Sequence, residues 1–197
     1  MRIISGFLKS RRIAFPPLKD AEAKTRPTTD MARESLFNLL NNWRAVDEVE
    51  NAKVLDLFSG TGAVGFEFIS RGADMVHFVE KSSICLDSIK KHADLFDVKE
   101  YCTFFKMDVF SFLNSCTDKF DYVFIDPPYA LPNIPKLPGL VFQANILNPD
   151  AIVIVEHDDR FQFGTKDPYW VESRSYGKSR FSFFQYTTAS LDKAKEE

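Results

Sequence analysis

The sequence predicts an α/β fold built on a doubly wound, mostly parallel sheet. Between residues 53 and 155, short runs that are apolar at nearly every position alternate with stretches of helical spacing. Strands that are apolar on both faces are typical of parallel sheets covered by two helix layers. Near the carboxyl terminus, two aromatic-rich runs flank a short turn, which predicts an antiparallel hairpin at the edge of the sheet.

The front of the chain predicts a small hairpin followed by a helix. Residues 2–5 and 12–15 are short β-prone runs that flank a glycine and a basic loop, and two prolines stop the second run. Thr29 and Asp30 are good N-cap residues, and the apolar residues after them follow helical spacing. We therefore expect an N-terminal β-hairpin extension, an extended linker, and a helix from about residue 30 to residue 42.

The remaining strands form the predicted sheet and its C-terminal hairpin. The predicted parallel strands are residues 54–58, 75–79, 101–107, 122–125 and 151–155. The predicted antiparallel strands are residues 169–176 and 180–186, joined by Gly177, Lys178 and Ser179. For the organisation of the chain, we expect a dependent hairpin and linker over residues 1–27, a single domain over residues 28–190, and a frayed tail over residues 191–197.

Length and composition predict one soluble domain. The 197 residues are 45% apolar and carry a net charge of −3, and glycine and proline are too few for a disordered or fibrous chain. The longest purely aliphatic run is Ala151 to Val155, far below the ~20 residues of a membrane span. Cys85, Cys102 and Cys116 form no C-x-x-C pair, which disfavours a disulfide framework and a zinc site. We expect a cytoplasmic protein that binds no membrane and no metal.

The charge is unevenly distributed along the chain. Residues 1–33 contain eight Lys or Arg side chains against three Asp or Glu, which gives +5 here and leaves −8 for the rest. A compact basic segment is what contact with a nucleic-acid backbone requires, because each neutralised phosphate releases counterions. Arg11 and Arg12 in the hairpin are the candidate contacts. A solvated basic arm without a partner explains the charge equally well at this point.

A glycine-rich turn follows the first predicted parallel strand. Gly60, Gly62 and Gly65 match the G-x-G-x-x-G pattern, in which glycines let the backbone turn tightly and approach a ligand. Glu80 ends the next strand, where its carboxylate can accept hydrogen bonds from both ribose hydroxyls. This pattern alone is compatible with NAD, FAD or S-adenosylmethionine. Asp56 favours S-adenosylmethionine, because a carboxylate repels a pyrophosphate and attracts an ammonium and a sulfonium.

The segment Asp126-Pro127-Pro128-Tyr129 follows the fourth predicted parallel strand, at the same edge of the sheet as the glycine turn. Methylation of an exocyclic base amine needs acceptors for the N–H groups, because the nitrogen lone pair is delocalised into the ring. The Asp126 carboxylate and the Pro127 carbonyl are candidates for these acceptors, and the two prolines hold the backbone rigid before substrate binds. Tyr129 offers a flat face on which a flipped-out base can stack.

Several motifs, in order along nearly the whole chain, resemble those of one known family. They are Arg26-Pro-Thr-Thr-Asp30, Arg33-Glu-Ser-Leu-Phe-Asn38, Asp56-Leu-Phe-Ser-Gly-Thr-Gly62, Ser70-Arg-Gly-Ala73, Asp126-Pro-Pro-Tyr129 and Val155-Glu-His157. Together they resemble the RsmD family of 16S ribosomal RNA guanine-N2 methyltransferases, in the class I superfamily. The resemblance implies a Rossmann-like sheet of seven strands with an antiparallel C-terminal hairpin, S-adenosylmethionine as the methyl donor, and a guanine of small-subunit ribosomal RNA as the target.

The resemblance also implies roles for individual residues. The expected cofactor contacts are Asp56, Phe58, Ser59, Gly60, Thr61, Gly62, Glu80 on the ribose, Asp108 near the adenine amino group, and Asp126. The expected catalytic residues are Asp126, Pro127, Pro128 and Tyr129. The expected RNA or substrate contacts are Arg11, Arg12, Arg26, Thr28, Arg33, Tyr129, His157 and Lys178. At the start of the first helix, Arg26, Thr28 and Arg33 suit either the cofactor carboxylate or an RNA phosphate. His157 suits either the target or the protein framework.

The predicted function is therefore methyl transfer to the exocyclic N2 of a guanine in small-subunit ribosomal RNA or an assembling small subunit, by a monomer. A DNA adenine-N6 or cytosine-N4 methyltransferase shares the Asp-Pro-Pro-Tyr chemistry. Such an enzyme usually carries a target-recognition domain, for which residues 130–150 leave little space. A non-catalytic RNA-binding assembly factor and a nicotinamide oxidoreductase are further alternatives, and cofactor binding discriminates between them.

Overall fold

A seven-stranded sheet with helices on both faces organises the chain, and its strand order is β3-β2-β1-β4-β5-β7-β6. The computed structural model describes residues 1–16, 29–43, 49–128, 130–177 and 179–186. The strands are β1 (Lys53–Leu57), β2 (Met75–Val79), β3 (Cys102–Phe105), β4 (Phe120–Ile125), β5 (Leu147–His157), β6 (Trp170–Tyr176) and β7 (Ser179–Phe184). The helices are α1 (Asp30–Trp43), α2 (Ala63–Ser70), α3 (Ser83–Leu95), α4 (Val109–Ser115) and α5 (Leu137–Gln143).

The strand directions confirm the predicted fold. Strands β1 to β5 pair in parallel, whereas β7 is antiparallel to both β5 and β6. The carboxyl ends of the five parallel strands therefore meet at one edge of the sheet. The chain order reverses there between β1 and β4, and open α/β sheets bind their ligands at such a switch point.

The predicted elements agree with the structure in type and differ at some of their ends. β2 has the predicted bounds, and α1 extends one residue past its predicted end. β3 begins one residue later than predicted because a 3₁₀ turn, Lys99–Tyr101, precedes it, and it ends two residues earlier, at Phe105. β5 begins at Leu147, ahead of the prediction, because Leu147 pairs with Phe120 before a register shift between the two strands.

The sheet separates two apolar layers. One layer packs β-strand side chains such as Val54, Phe124 and Ile154 against α1, α2 and α3. The other packs side chains such as Leu57 and Val155 against α4 and α5. Because side chains alternate along a strand, each residue at the carboxyl edge belongs to one of these two faces.

The N-terminal hairpin, residues 1–13, contains one antiparallel bridge between Arg2 and Arg12 and is anchored to α2. The buried Glu67 carboxylate accepts hydrogen bonds from two hairpin amides, at 2.7 and 3.0 Å. The Ser70 hydroxyl accepts a third at 2.9 Å, and the Ser70 carbonyl accepts a fourth, also at 2.9 Å. At Gly6 the hairpin approaches α2 so closely that a Cβ would overlap the Ser70 carbonyl. The hairpin therefore cannot leave α2 without exposing the buried Glu67 carboxylate.

The other boundaries predicted for the chain fall mostly outside the described residues. The predicted linker continues into residues 17–28, and the predicted tail, 191–197, lies beyond residue 186, so both stay predictions. Within the described ranges, no helix combines the length and the apolar character of a membrane span.

Candidate active site

The predicted cofactor residues that follow the parallel strands lie together at the carboxyl edge of the sheet. The glycine turn follows β1, Glu80 follows β2, Asp108 lies beyond β3, and Asp126 follows β4. β1 lies between β2 and β4, so the turn lies between Glu80 and Asp126. The Asp126 amide donates to the Leu57 carbonyl at 3.3 Å, which ties the end of β4 to the end of β1.

The glycine turn has a backbone conformation that most residues avoid. Phe58, Gly60 and Gly62 have φ angles of 58°, 54° and 74°, in the left-handed region. The Gly62 amide donates to the Ser59 carbonyl at 2.7 Å, and the buried Ser59 hydroxyl donates back to a carbonyl of β1. A Cβ at Gly62 would lie 3.1 Å from the Ile89 side chain. Internal hydrogen bonds and packing therefore fix the shape of the turn.

Glu80 closes the turn from the neighbouring strand. Its Oε2 accepts a hydrogen bond from the Gly60 amide at 2.9 Å, and its Oε1 accepts one from the Ser82 amide at 2.7 Å. A carboxylate held at both oxygens has a fixed direction and still retains lone pairs for further donors. This geometry suits a ligand with two adjacent hydroxyls, which is the role predicted for Glu80.

Asp56 is buried beneath the turn. Its Oδ2 accepts a hydrogen bond from the Gly65 amide at 3.2 Å. Burial raises the pKa of the Asp56 carboxyl to about 8; the Gly65 hydrogen bond opposes this rise, and the Glu80 charge adds to it. A Cβ on Gly65 would lie 2.2 Å from the Phe78 ring. Gly65 therefore serves the close packing of α2 on the sheet, and Asp56 supports the base of the turn.

Asp108 is the N-cap residue of α4. Its Oδ1 accepts a hydrogen bond from the Phe110 amide at 3.0 Å. The Glu80 amide donates to the Phe105 carbonyl at 3.0 Å, so both carboxylates follow neighbouring strands at the same edge. The location agrees with the predicted contact to an adenine amino group, and that contact stays a prediction.

The Asp126-Pro127-Pro128 segment presents hydrogen-bond acceptors at the end of β4. Burial raises the pKa of the Asp126 carboxyl well above its ordinary value, and the Glu156 charge raises it further. Pro127 is buried and Pro128 is exposed. The Pro128 carbonyl accepts from the Leu131 amide at 2.8 Å, whereas the Pro127 carbonyl accepts no hydrogen bond from the described residues. Asp126 and the Pro127 carbonyl are therefore the acceptors that this segment offers to a ligand.

Glu156 is a site residue that the sequence analysis did not predict. It lies near the end of β5, is 2% exposed, and accepts a hydrogen bond from the Ser179 hydroxyl at 2.8 Å. The available signal was the same as for Glu80 and Asp126, namely an acidic residue at the end of an apolar strand. The Val155-Glu-His157 motif predicted a contact for the histidine only.

Two predicted RNA contacts are buried framework residues in the structure. His157 is fully buried, with Nε2 2.7 Å from the Ser182 hydroxyl and Nδ1 2.8 Å from the Asp158 carbonyl. Burial lowers the pKa of His157, which favours the neutral ring. The Arg33 guanidinium is also fully buried and donates to Asp30 at 2.7 Å and to a carbonyl of the N-terminal hairpin. Both side chains have partners within the fold, and their predicted contacts with RNA stay predictions.

Some of the other predicted contacts lie within the described residues and some lie outside them. Arg11 and Arg12 are exposed on the N-terminal hairpin. The Thr61 hydroxyl lies 3.5 Å from the Met1 sulfur, which brings the glycine turn close to the chain start. Four residues lie outside the described ranges and keep their predicted roles as predictions: Arg26, Thr28, Tyr129 and Lys178. In the part of the chain that the structure describes, no group of three or more His, Cys, Asp or Glu side chains could hold a metal ion.

Solved structures define the class of fold. A hypothetical protein from Thermus thermophilus aligns with a TM-score of 0.78 at 22% identity, over 94% of this chain and 99% of that one. The T. thermophilus 16S rRNA N2 G1207 methyltransferase RsmC, in complex with AdoMet and guanosine, aligns with a TM-score of 0.66 at 19% identity, over 83% of this chain and 45% of its own. The fold is therefore that of the class I methyltransferases.

Sequence comparison identifies the family within that class. The family model described as conserved hypothetical protein 95 matches residues 1–185. The ribosomal RNA small subunit methyltransferase D of Haemophilus influenzae is 31% identical over 159 residues, which cover 79% of this chain and 78% of that protein. Its namesake from Escherichia coli K12 is 29% identical over 158 residues, covering 80% and 75%. The chain belongs to this family, that of the RsmD methyltransferases, as the motifs predicted.

Proposed function

We propose that this chain transfers a methyl group from S-adenosylmethionine to the exocyclic N2 of a guanine in small-subunit ribosomal RNA. The observation that carries the proposal is the position of Asp126 and the Pro127 carbonyl, one strand away from the glycine turn. The names of the relatives support the RNA substrate, since they are called ribosomal RNA small subunit methyltransferases. The guanine N2 position is that of the RsmC neighbour with bound guanosine.

The residues at the carboxyl edge fit S-adenosylmethionine, which supplies an electrophilic methyl group on a sulfonium when bound. Glu80 offers carboxylate oxygens to the ribose hydroxyls, and Asp108 offers them to the adenine amino group. The Asp56 carboxyl, whose pKa is raised to about 8, favours a cationic ligand and disfavours a pyrophosphate, because a cation stabilises its ionised form. This charge distribution supports S-adenosylmethionine over a nicotinamide dinucleotide.

Asp126 and the Pro127 carbonyl act on the target amine. Each accepts a hydrogen bond from one N–H group of the guanine, which shifts electron density back to N2 and makes it more nucleophilic. Because the acceptors are held in place before substrate binds, they need no reorganisation during the transfer. We assign Tyr129 to stacking on the flipped-out base.

The N-terminal hairpin is the proposed RNA contact. Arg11 and Arg12 are exposed on it, and Phe7 and Phe15 are exposed beside them, at 64% and 59% of their surface. Exposed cations interleaved with aromatic rings suit RNA, because the cations bind phosphates and the rings stack on unpaired bases. The substrate is either free ribosomal RNA or an assembling small subunit, and we expect a monomer that acts in the cytoplasm.

Methyl transfer to ribosomal RNA tests the proposal directly. The protein is incubated with labelled S-adenosylmethionine and with either small-subunit particles or naked RNA that lack the mark, and the modified nucleoside is identified by mass spectrometry. We expect N2-methylguanosine, and the preferred particle shows at which stage of assembly the enzyme acts. Transfer to DNA only, or a methylated adenine or cytosine, would overturn the proposed substrate. Cofactor binding without any transfer would support the assembly-factor alternative.

A further inference from the structure

Strand register brings Glu156 next to Asp126. β4 and β5 are parallel, and Ile125 lies opposite Val155. The following residues on the two strands, Asp126 and Glu156, are therefore neighbours on the same face of the sheet. Asp56 shares this face, because it lies opposite Phe124 in the pairing of β1 with β4.

The orientation of Glu156 is fixed by the C-terminal hairpin. The Ser179 hydroxyl on β7 donates to Glu156 Oε1 at 2.8 Å, and the side chain is almost fully buried. When two carboxylates share a buried site, the charge of one opposes the ionisation of the other, which raises the pKa of that other group. This is the direction of the raised pKa of Asp126, in which Glu156 is the largest charge contribution after burial.

We propose that Glu156 is a positioning residue that acts through Asp126, keeping this carboxylate basic enough to take the proton that the target amine releases. This inference rests on the proposed function. In the transfer, N2 bonds to the methyl carbon while the sulfur–carbon bond breaks, and that electron pair stays on the sulfur as a neutral thioether. The nitrogen then loses one N–H proton to an Asp126 oxygen. The product amine is neutral, and Asp126 returns its proton to water before the next turnover.

The other charged groups near this face do not replace Glu156. The charges that raise the pKa of Asp126 are those of Glu156 on β5 and Asp56 on β1. Glu80, at the end of β2, raises the pKa of Asp56. Two cations of the helices on this face pair with nearby acids: the buried Arg33 with Asp30 in α1, and Arg71, which follows α2, with Glu67. Removal of the Glu156 charge therefore changes the basicity of Asp126 without releasing one of these cations.

The pH dependence of transfer by Glu156→Gln tests the inference. Glutamine keeps the shape and an oxygen that accepts from Ser179, and it removes the charge. A cause that raises the pKa of Asp126 is then absent, so this pKa falls. We expect the acidic limb of the kcat profile to move to lower pH by about one unit, and the plateau to fall roughly 3- to 10-fold because the base is weaker. The KM for S-adenosylmethionine and the melting temperature should stay unchanged.

Two controls separate this role from a structural one. Glu100→Gln makes the same chemical change at an exposed position at the opposite edge of the sheet and should leave the profile unchanged. Carbon-13 NMR of labelled aspartates, with Asp126→Asn to assign the signal, should show a lower Asp126 titration midpoint in Glu156→Gln. An unmoved limb, or a loss of activity at every pH with a lower melting temperature, would overturn the inference. Absence of transfer by the unmodified protein would instead overturn the proposed function.

Discussion

The two functional segments at the carboxyl edge, the glycine turn after β1 and the Asp126-Pro127-Pro128 segment after β4, lie side by side but are held in different ways. In the glycine turn, backbone amides are bound internally by Ser59 and Glu80, and three residues have left-handed φ angles. The second segment is held by one amide to β1 and by two proline rings, and it keeps acceptors for a ligand. The first segment therefore has a fixed shape against which a cofactor can bind, and we call it the cradle. The second segment offers hydrogen-bond acceptors to the substrate, and we call it the reactive edge.

Asp126→Ala is the sharpest way to separate the two segments. It removes an acceptor from the reactive edge and leaves the hydrogen bonds of the glycine turn in place. We expect kcat to fall about 10²- to 10³-fold, the size of effect seen when one electrostatic donor or acceptor is lost from an active site. Binding of S-adenosylmethionine, measured by calorimetry, should change little. A variant with full activity would refute the assigned role.

Asp56→Asn tests the cost of the acid that supports the cradle. In the unfolded chain this carboxyl has its ordinary pKa of 3.8, and in the native state its pKa is about 8. Between these values the native state binds the extra proton, so stability falls as pH rises, by at most about 1.4 kcal/mol per pH unit. In the variant this contribution is absent. Chemical unfolding at pH 5 and pH 8 should therefore show a smaller loss of stability than in the unmodified protein, and an equal loss would contradict the assignment.

Glu80→Gln tests the cradle from its other side. The glutamine side chain keeps the shape of Glu80, but its NH₂ group cannot accept a hydrogen bond. It therefore cannot accept from both backbone amides and from a ribose hydroxyl as the carboxylate does. We expect the Kd for S-adenosylmethionine to rise roughly tenfold, because charge-assisted hydrogen bonds are lost. At saturating cofactor, kcat should change less than in Asp126→Ala. A fall in kcat with a constant Kd would contradict the proposal that the cradle binds the cofactor and the reactive edge acts on the target amine.

The paired change Arg11→Ala and Arg12→Ala has the smallest expected effect. It lies outside both segments and should leave cofactor binding unchanged. The loss of two phosphate contacts should weaken RNA binding a few-fold and reduce the salt dependence of the affinity by about two ions. Filter binding over a range of salt concentrations measures this slope. An unchanged slope would favour a solvated arm without an RNA contact.

The sequence predicted the parallel strands well because they are apolar at nearly every position, as in residues 151–155 of β5. It missed the start of β5 because Asn148, Pro149 and Asp150 interrupt the apolar pattern, although Leu147 already pairs with β4. Local patterns also give no account of Glu67, whose hydrogen-bond partners in the hairpin lie more than 60 residues away in the chain.

The location of a site residue was predictable from the sequence where it depends on the end of a strand, and the roles of these residues stay predictions. Glu80 and Asp126 lie where the alternation of strands and helices put them. Arg33 and His157 were predicted as contacts because charged or titratable residues lie near the site in sequence, yet burial and partners are set by distant elements. The glycine pattern likewise did not distinguish Gly60 and Gly62, which shape the turn, from Gly65, which packs against Phe78.

The close approach of Gly6 to the Ser70 carbonyl fixes the distance between the basic hairpin and the site. Because the turn of the hairpin packs on α2, and α2 begins after the glycine turn, the backbone of Arg11 and Arg12 stays at a constant distance from the carboxyl edge of the sheet. In the proposed reaction, an RNA that binds Arg11 and Arg12 presents to the site only those nucleotides that lie at this fixed distance from the bound phosphates. A side chain at position 6 would shift the hairpin relative to the site. It would therefore change which nucleotide reaches the site before it changed the chemistry of methyl transfer.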